Sequence, residues 1–415
     1  MPRIPPELCA RCKGYKRLCG LPTCPILERF RSQLRATLKV DATTAEGYTP
    51  PSALVGEHDY PRVSVYYMLP PGEGAEEARY HDAPSLWVER RESLHNIIRL
   101  RSSMVAARLR VDARSPQSLY DKEFLYASVS VAPVDSEVEL ARPPTPRLIF
   151  DGISKPVGPS GPARRIRVTG NPRLHPRLEK LVWDEATAST AIVELYRSGV
   201  DVYTIHRALS LGMLGRPRNR RLVPTRWAIT AVDDTISRWL RSALRDRPSI
   251  DTIEVYRAEY LGNRFTIILY PGSGWFEWVE VWHPAGLWTR RAREPSAWRV
   301  AEDPLGRATD VDGGFSAARL AVLESLYRRG RVADVIILRE ITPSYYAPVG
   351  NWHIRETVRR ALAGSPVRFD DLNDAVGEAL ASLETPEAQR AALKASPLLR
   401  GVRRSRLTDY WPELG

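Results

Sequence analysis

The cysteines constrain this chain most, because all four lie within its first 24 of 415 residues. Cys9, Cys12, Cys19 and Cys24 form a C-x2-C-x6-C-x4-C pattern. Thiolates at such short spacing can surround one tetrahedral ion without ligands from elsewhere in the fold. We therefore predict a zinc site. Because four cysteines complete the ligand set, we expect the zinc to hold the fold together rather than to activate water.

Cysteine spacing alone leaves two alternatives open. An iron–sulfur cluster also uses four cysteine thiolates, and spacing does not separate it from zinc. Two disulfides would use the same residues, but disulfides are typical of small secreted domains and of some hyperthermophile proteins. The first eight residues contain no apolar signal core, so we expect a reducing, cytoplasmic and nucleoid-associated location.

The charge of the chain is strongly positive and comes almost entirely from arginine. The formal net charge is +12, and only seven of the 61 basic residues are lysine. Arginine binds phosphate through a planar fork, so this composition favours DNA as a partner. The compositional bias of a GC-rich genome or of a thermophile is an equal alternative. No uncharged stretch is long enough to cross a bilayer, so we expect no membrane partner.

The pattern of apolar residues predicts an α+β fold in several parts. We assign residues 1–30 to the four-cysteine knuckle, 31–290 to a larger N-terminal α+β domain, 300–400 to a smaller, mainly helical C-terminal domain, and 401–415 to a flexible tail. A linker near residues 285–305, rich in Arg, Pro and Trp, marks the boundary between the two larger parts.

Alternation with a period of two predicts the strands. Residues 126–134 form one predicted strand. Residues 252–260, 264–270 and 275–282 are separated by glycine-containing turns, and they predict a three-stranded antiparallel meander. A further buried strand is predicted at 332–341. Before it, a helix is expected with Ser316 as N-cap and Gly330 as its stop.

Two sets of polar residues are candidates for catalysis. Asp233 and Asp234 lie on a helix that begins at Thr225, and Asp233 borders its apolar face, where Arg226 or a nearby loop arginine could neutralise it. Asp312, His353 and Glu356 form the second set, next to Tyr345, Tyr346 and Asn351. Clustered carboxylates can hold metal ions for phosphodiester hydrolysis, and a single positioned acid or base serves glycosidic chemistry. Capping and structural roles explain the same residues equally simply.

A basic loop is the candidate for phosphate binding. It contains Arg216, Arg218, Arg220 and Arg221 and is followed by Thr225 and Arg226 at a helix start, where backbone amides suit an anion. The alternative is a solvated loop without a partner.

The C-terminal sequence resembles a PCNA-interacting peptide, whose pattern is Gln-x-x-aliphatic-x-x-aromatic-aromatic. Leu407, Tyr410 and Trp411 occupy the three apolar positions, and Arg404 replaces the glutamine. Such a peptide places its apolar side chains in a groove of the sliding clamp, and we expect the missing amide to weaken binding. A tail docked on its own domain is the alternative.

The cysteine pattern, the run at residues 225–237 and the clamp-binding tail together resemble the archaeal Nre family of DNA-repair proteins. The resemblance implies a two-part protein that acts in DNA-damage repair with PCNA as partner. It carries over the four cysteines as metal ligands and the three tail residues as clamp contacts, but no catalytic residue. Two hypotheses follow: a DNA-binding repair protein recruited to the clamp, or a nuclease or glycosidic-bond hydrolase with a carboxylate-containing pocket.

Overall fold

Two six-stranded sheets organise the chain in a computed structural model that describes residues 12, 16, 18, 24–146, 157–284, 286, 289, 292–308 and 311–400. The first sheet has the strand order β1-β5-β6-β4-β3-β2. Its strands are β1 (Thr44–Thr49), β2 (Leu54–Val55), β3 (Arg62–Leu69), β4 (Val105–Asp112), β5 (Val134–Leu140) and β6 (Ser160–Val168). β4 and β6 run parallel, and the other neighbouring pairs are antiparallel.

The second sheet has the order β10-β9-β11-β8-β7-β12. Its strands are β7 (Ile253–Tyr260), β8 (Asn263–Tyr270), β9 (Phe276–Trp282), β10 (Ser296–Glu302), β11 (Asp334–Ile341) and β12 (Val367–Phe369). The strands predicted at residues 252–260, 264–270, 275–282 and 332–341 are present, but the first three do not form the predicted antiparallel meander. β11 lies between β8 and β9, antiparallel to the first and parallel to the second. All eight residues of β11 are buried, so this strand needs neighbours on both edges and cover on both faces.

Helices cover the sheets and fill the space between them. They are α1 (Pro25–Leu38), α2 (Ala75–Arg79), α3 (Pro84–Glu89), α4 (Leu94–Ser102), α5 (Glu123–Ala127), α6 (Pro176–Val182), α7 (Ala188–Arg197), α8 (Val202–Ser210), α9 (Thr225–Leu244), α10 (Gly313–Arg329), α11 (Trp352–Leu362), α12 (Leu372–Ala381) and α13 (Pro386–Ala395). Within the described part of the chain, no helix has both the length and the apolar character that crossing a membrane requires.

One continuous apolar core joins the two sheets through the helices between them. It contains Val65 from the first sheet, Ile236 from α9, Leu320 from α10 and Trp278 from the second sheet. The opposite face of the second sheet packs separately against α12 and α13. The order of layers is therefore sheet, helices, sheet, helices, and every wide apolar face of the second sheet is covered.

Strands from both sides of residues 290–300 belong to the second sheet. β7, β8 and β9 precede this stretch, whereas β11 and β12 follow it. The boundary near residues 285–305 between an N-terminal and a C-terminal sequence segment therefore remains a prediction. In the fold, the two segments share hydrogen-bonded strands and one core.

Two local predictions are corrected. The strand predicted at residues 126–134 is wrong: helix α5 extends to Ala127, β5 begins only at Val134, and Phe124, Leu125 and Ala127 reach the core from one helical turn. Asp312, not Ser316, caps α10: its carboxylate accepts the Phe315 N–H at 2.7 Å. The Ser316 hydroxyl instead donates to the Asp312 carbonyl. Gly330 ends the helix in a left-handed conformation, φ 63°, as the sequence predicts.

Candidate functional site

An exposed group of aromatic and arginine side chains lies where the turn between β2 and β3 meets the first turn of α9. We call it the aromatic–arginine surface, and its members are Tyr60, Arg62, Arg114, Arg221, Arg226 and Trp227. The ring centroids of Tyr60 and Trp227 are 5.6 Å apart, and the ring planes are tilted by 45°. Tyr60 is 46% exposed and Trp227 is 49% exposed, and the four arginines are also exposed.

Hydrogen bonds fix the segments that carry this surface. The hydroxyl of buried Thr225 accepts the N–H of Val55 at 2.8 Å, which ties the start of α9 to β2. The N–H of Ala113 donates to the carbonyl of Pro61, and the N–H of Leu222 donates to the carbonyl of Ala113. The turn, the end of β4 and the loop before α9 are therefore held together by backbone contacts.

Positive charge exceeds negative charge on the aromatic–arginine surface. Arg226 lies 3.6 Å from Glu57, and Arg114 lies 3.5 Å from Asp112. Arg62 and Arg221 form no ion pair with any residue that the structure describes. Exposed ion pairs at these distances contribute little energy. Nη1 of Arg221 donates to the carbonyl of Arg220 at 2.9 Å, and Asp59, next to Tyr60, pairs with Arg110 at 3.0 Å. Arg62 is therefore the arginine of this surface without a side-chain partner among the described residues, and the other three have weak contacts that an anionic ligand can replace.

The structure separates the predicted phosphate-binding residues into two groups. Arg216, Arg218, Arg221 and Arg226 are exposed. Arg220 is buried, and its guanidinium donates to the carbonyls of Gly215 at 2.7 Å and Asp184 at 3.4 Å. Thr225 is buried as well, and its hydroxyl contacts that of Ser210 at 3.1 Å. Both of these side chains stabilise the fold, so the phosphate-binding prediction rests on the exposed arginines.

Asp233 is fully buried in a polar cluster between α8, α9 and α11. One carboxylate oxygen lies 3.0 Å from Nε2 of His206, and the other accepts a hydrogen bond from Arg355. The expected pairing with Arg226 or an arginine of the preceding loop is therefore wrong, because Arg355 is the partner and Arg226 lies next to Glu57 instead. α9 places Asp233 on its inner face, one helical turn after Ile229. Its counterion Arg355 lies 122 residues later in the sequence.

Burial and charge set the protonation of this cluster. Burial raises the pKa of the Asp233 carboxyl, but Arg355 and His206 outweigh that effect and leave the pKa below its ordinary value. Burial lowers the pKa of His206, more than Asp233 raises it. The carboxylate is thus ionised and the imidazole neutral at pH 7, with Nε2–H donating to Asp233. Such a fixed, fully enclosed arrangement is typical of a structural ion pair.

A second polar cluster surrounds Glu280, on the face of the second sheet that packs against the continuous apolar core. Arg339 donates to Glu280 at 2.5 Å and to the side-chain oxygen of Asn263 at 2.7 Å. Nδ1 of His353 donates to the carbonyl of Gly350 at 2.7 Å, which leaves Nε2 to accept from Arg339 at 3.3 Å. The structure therefore brings the predicted His353 next to two charged residues that the sequence analysis did not select.

The pKa values in the Glu280 cluster are shifted by burial. Burial raises the pKa of Glu280; Arg339 opposes the rise and nearby Asp312 adds to it, and the net pKa is above its usual value. Burial together with the Arg339 charge lowers the pKa of His353 to about 3. His353 is therefore neutral at pH 7. A neutral imidazole whose two nitrogens both have protein partners has no free nitrogen for a substrate.

The two remaining predicted carboxylates are also occupied. Asp234 accepts hydrogen bonds from Arg319 at 2.8 Å and Arg238 at 2.7 Å. Glu356 accepts from the hydroxyl of Tyr203 at 2.6 Å and from Arg359 at 2.8 Å. Each carboxylate links its own helix to a second helix and to the next turn of the same helix. Among the described residues, neither lies with Asp312 or Asp233 in a shared metal site.

Four residues that complete these clusters were not predicted from the sequence. They are His206, Arg355, Glu280 and Arg339. One signal was present for two of them: Glu280 and Arg339 are charged residues inside strands whose neighbours are apolar. A charge in a buried strand requires a partner of opposite sign. No comparable signal marked His206 or Arg355, because both lie on amphipathic helices.

A further group of possible metal ligands lies at His283, Glu340 and Glu384. One ligand atom from each lies within 4.8 Å of the other two. Arg264, however, lies 3.3 Å from both carboxylates, and Nε2 of His283 is already 2.7 Å from Glu340. The Arg264 guanidinium supplies the positive charge that a metal ion would supply, so these residues form an ion-pair network.

A cleft of about 340 Å³ lies between α1, α4 and the segment after β3. Its polar lining includes Arg35, Lys39, Glu73, His81 and Arg99. None of the candidate catalytic residues lines it. This cleft is thus separate from the predicted carboxylate sets.

Several predicted site residues lie outside the described residues. They are Cys9 and Cys19 of the metal site, and Leu407, Tyr410 and Trp411 of the clamp-binding tail. Of the other two cysteines, Cys12 is buried and Cys24 is half-buried immediately before α1. The zinc and clamp assignments therefore stay predictions.

Comparison with known proteins identifies relatives along nearly the whole chain. Residues 18–289 match the family model described as archaeal Nre, N-terminal, and residues 303–410 match the one described as archaeal Nre, C-terminal. The chain belongs to the archaeal Nre family. No solved structure matches it.

Three relatives of the Nre chain have similar lengths. A DNA repair protein NreA from Archaeoglobus fulgidus is 35% identical over 383 residues, which cover 91% of this chain and 94% of the relative. DNA repair protein NreB of the same organism is 35% identical, covering 89% and 91%. DNA repair protein NreA of Haloferax volcanii is 36% identical, covering 84% and 85%. The predicted family resemblance is confirmed.

Proposed function

We propose that this Nre-family chain is a DNA-damage repair protein that binds DNA through the aromatic–arginine surface and is recruited to PCNA by its C-terminal peptide. The names of its relatives support the repair role. The observation that carries DNA binding is the group of four exposed arginines around Tyr60 and Trp227, which outnumber the neighbouring carboxylates of Glu57, Asp59 and Asp112; of these, Asp59 already pairs with Arg110. Guanidinium groups in such an arrangement can neutralise several phosphates at once.

The start of α9 adds to this proposal. α9 has 20 residues and no side-chain cap at its N-terminus, and Arg226 is its second residue. Uncapped backbone N–H groups at a helix start favour a negative charge nearby. Phosphate would therefore meet both fixed amide dipoles and the mobile guanidinium of Arg226.

The DNA-binding part is tested with the double variant Arg62→Ala/Arg226→Ala. We expect a loss of roughly tenfold or more in DNA affinity in fluorescence anisotropy, because two phosphate contacts disappear. Arg390→Ala is the matched control, since Arg390 is also exposed but lies on α13 and pairs with Glu387. Equal affinity of the double variant and the control would contradict the proposed surface.

The clamp-binding part is tested by removing residues 404–415. Pull-down with PCNA should disappear, because Leu407, Tyr410 and Trp411 would supply the contacts with the groove. The melting temperature should stay unchanged, since the tail is proposed to bind the clamp rather than its own domain. Retained pull-down, or a clear loss of thermal stability, would contradict this assignment.

The zinc site is tested by elemental analysis of the purified protein. Cysteine thiolates suit zinc, and the four cysteines would hold one ion per chain and bring the segment before α1 into a fixed fold. Cys9→Ser should remove the metal. Stoichiometric iron instead of zinc would support the cluster alternative.

The hydrolase alternative gains no support from the described residues. Asp233, Asp234, His353 and Glu356 all have their polar atoms engaged by other side chains or by carbonyls, and Asp312 is a helix cap. An enzyme of that class would need carboxylates that face a common space.

A further inference from the structure

Tyr60 and Trp227 differ from the other ring pairs of the described residues because both contacting rings are exposed. Both rings are about half exposed, although each could contribute a large apolar area to a core. They come from segments that are more than 160 positions apart in the sequence, yet they contact each other directly. Leaving two adjacent rings in water creates a surface that can accept another flat, apolar group.

We propose that Tyr60 and Trp227 stack on unpaired bases, so that the aromatic–arginine surface takes single-stranded DNA. This inference rests on the proposed function and specifies the substrate class of the same surface. An exposed ring offers its face to any base, which makes stacking tolerant of sequence. In a duplex the base faces are covered by their neighbours, so the rings have access to bases only where the strand is unpaired.

Charge around the rings selects this occupant over an apolar protein partner. Arg226 is the residue directly before Trp227, and Arg62 is two residues after Tyr60. Both are exposed. A nucleic acid strand presents a charged backbone beside flat bases, which matches rings bordered by guanidinium groups. A hydrophobic partner would bury these charges at a cost, because Arg62 has no counterion among the described residues and Arg226 has Glu57 at 3.6 Å.

The two rings are held in place before any ligand arrives. The N–H of Arg62 donates to the carbonyl of Asp59 at 2.8 Å across the turn that carries Tyr60, and the N–H of Trp227 donates to the carbonyl of Pro224 at 2.8 Å. The Thr225 hydroxyl fixes α9 to β2. Because these contacts fix the backbone of both segments and the two rings contact each other, stacking requires little further loss of conformational freedom.

The experiment measures binding of the full chain to a labelled oligothymidine and to a duplex of the same length. We expect Trp227→Ala to lower the affinity for the single strand by about 5- to 150-fold, the range found for one base–aromatic contact, while duplex affinity changes less than twofold. Trp227→Phe keeps an aromatic face and should retain most of the affinity. Tyr60→Ala should act in the same direction as Trp227→Ala.

Trp298→Ala is the matched control, because Trp298 is 38% exposed on β10 of the other sheet. It should leave both affinities unchanged, and thermal melting of each variant checks the fold. An equal loss of single-strand and duplex affinity in Trp227→Ala would overturn stacking. An unchanged single-strand affinity would do the same.

The outcomes also separate this inference from the proposed function. If the wild-type chain binds duplex but not oligothymidine, DNA binding stands and stacking fails. If it binds neither DNA at low salt, the proposed DNA-binding function itself fails. Quenching of tryptophan fluorescence by oligothymidine, lost in Trp227→Ala, is the independent readout for a base placed on the ring.

Discussion

Arginine side chains have two distinct roles in this chain. Arg319, Arg339 and Arg355 are almost completely buried and pair with Glu302, Glu280 and Asp233. Others, such as Arg62 and Arg226, remain in water. The composition alone gave nucleic-acid binding and a genomic bias equal weight. The structure separates the arginines into two groups: the buried ones stabilise the fold, and only the exposed ones are available to DNA.

At the residue scale, Asp233→Asn should destabilise the protein by about 3–5 kcal/mol. The substitution leaves the buried Arg355 without its counterion, and an unpaired buried charge is costly. Asp251→Asn is the control, because its side chain is 80% exposed and lies 3.6 Å from Arg331; we expect a change within about 1 kcal/mol. Urea unfolding measures both. A small loss for Asp233→Asn combined with loss of an enzymatic activity would favour the hydrolase hypothesis.

Buried histidines should make the protein less stable as the pH falls below about 6.5. The pKa of His353 drops from 6.5 to about 3 on folding, and that of His206 also falls. Between the two values the unfolded chain binds a proton that the folded chain does not, so acid favours unfolding by up to about 1.4 kcal/mol per pH unit and histidine. The raised pKa of Glu280 acts in the opposite direction above pH 4.5. Asp233 contributes only at lower pH, because its pKa is already depressed.

Comparing variants isolates the contribution of His353. His353→Gln should show a flatter dependence of the unfolding free energy on pH between 6.5 and 4.5 than the wild type. His58→Gln, at an exposed position, should reproduce the wild-type slope. Parallel slopes for all three proteins would contradict the assignment of His353 as a neutral, buried group.

At the element scale, the turn between β7 and β8 should tolerate substitution poorly. Gly262 has φ +72°, and a Cβ there would lie 2.7 Å from the backbone nitrogen of Tyr345. Gly262→Ala should therefore cost about 3 kcal/mol or more, through both backbone strain and a clash that a main chain cannot easily relieve. Gly330 also has positive φ, but nothing lies within 4 Å, so Gly330→Ala should cost about 1 kcal/mol. Thermal or urea unfolding compares the two, and equal losses would contradict the steric argument.

The positions of the helices and strands were largely predictable from the sequence, but the pairing of the strands was not. Period-two alternation located β7, β8 and β9 to within one or two residues, and Pro224-Thr225 marked the start of α9. The pairing of β9 with β11 depends on a strand more than 50 residues later, which local alternation does not encode. The short segment at residues 126–134 failed for a related reason, because alternation over a few residues fits one buried helical turn equally well.

The same limit explains which site residues could be found. The sequence indicated Asp233 as a carboxylate beside an apolar helix face and His353 as a member of a polar set, and both lie in buried clusters. Their partners Arg355 and Arg339 come from distant elements that only the tertiary fold brings together. Tyr60 and Trp227 carried no signal at all, since exposure of an aromatic ring depends on packing that the sequence does not show.

At the scale of the whole molecule, DNA affinity should depend strongly on salt. If the four exposed arginines of the aromatic–arginine surface each neutralise one phosphate of a single strand, affinity should fall roughly 50-fold between 50 and 200 mM salt. Arg62→Ala/Arg226→Ala should show about half of the wild-type slope, and Arg390→Ala the full slope. A flat dependence would mean that the net charge of +12 reflects composition rather than contact with phosphate.

The position of β11 also has a consequence for biosynthesis. In the second sheet β9 pairs with β10 and β11, and both of these strands follow it in the chain. β8 also has β11 on one of its edges. During synthesis we therefore expect β9 to join β8 in one sheet only after the ribosome has released residues 334–341.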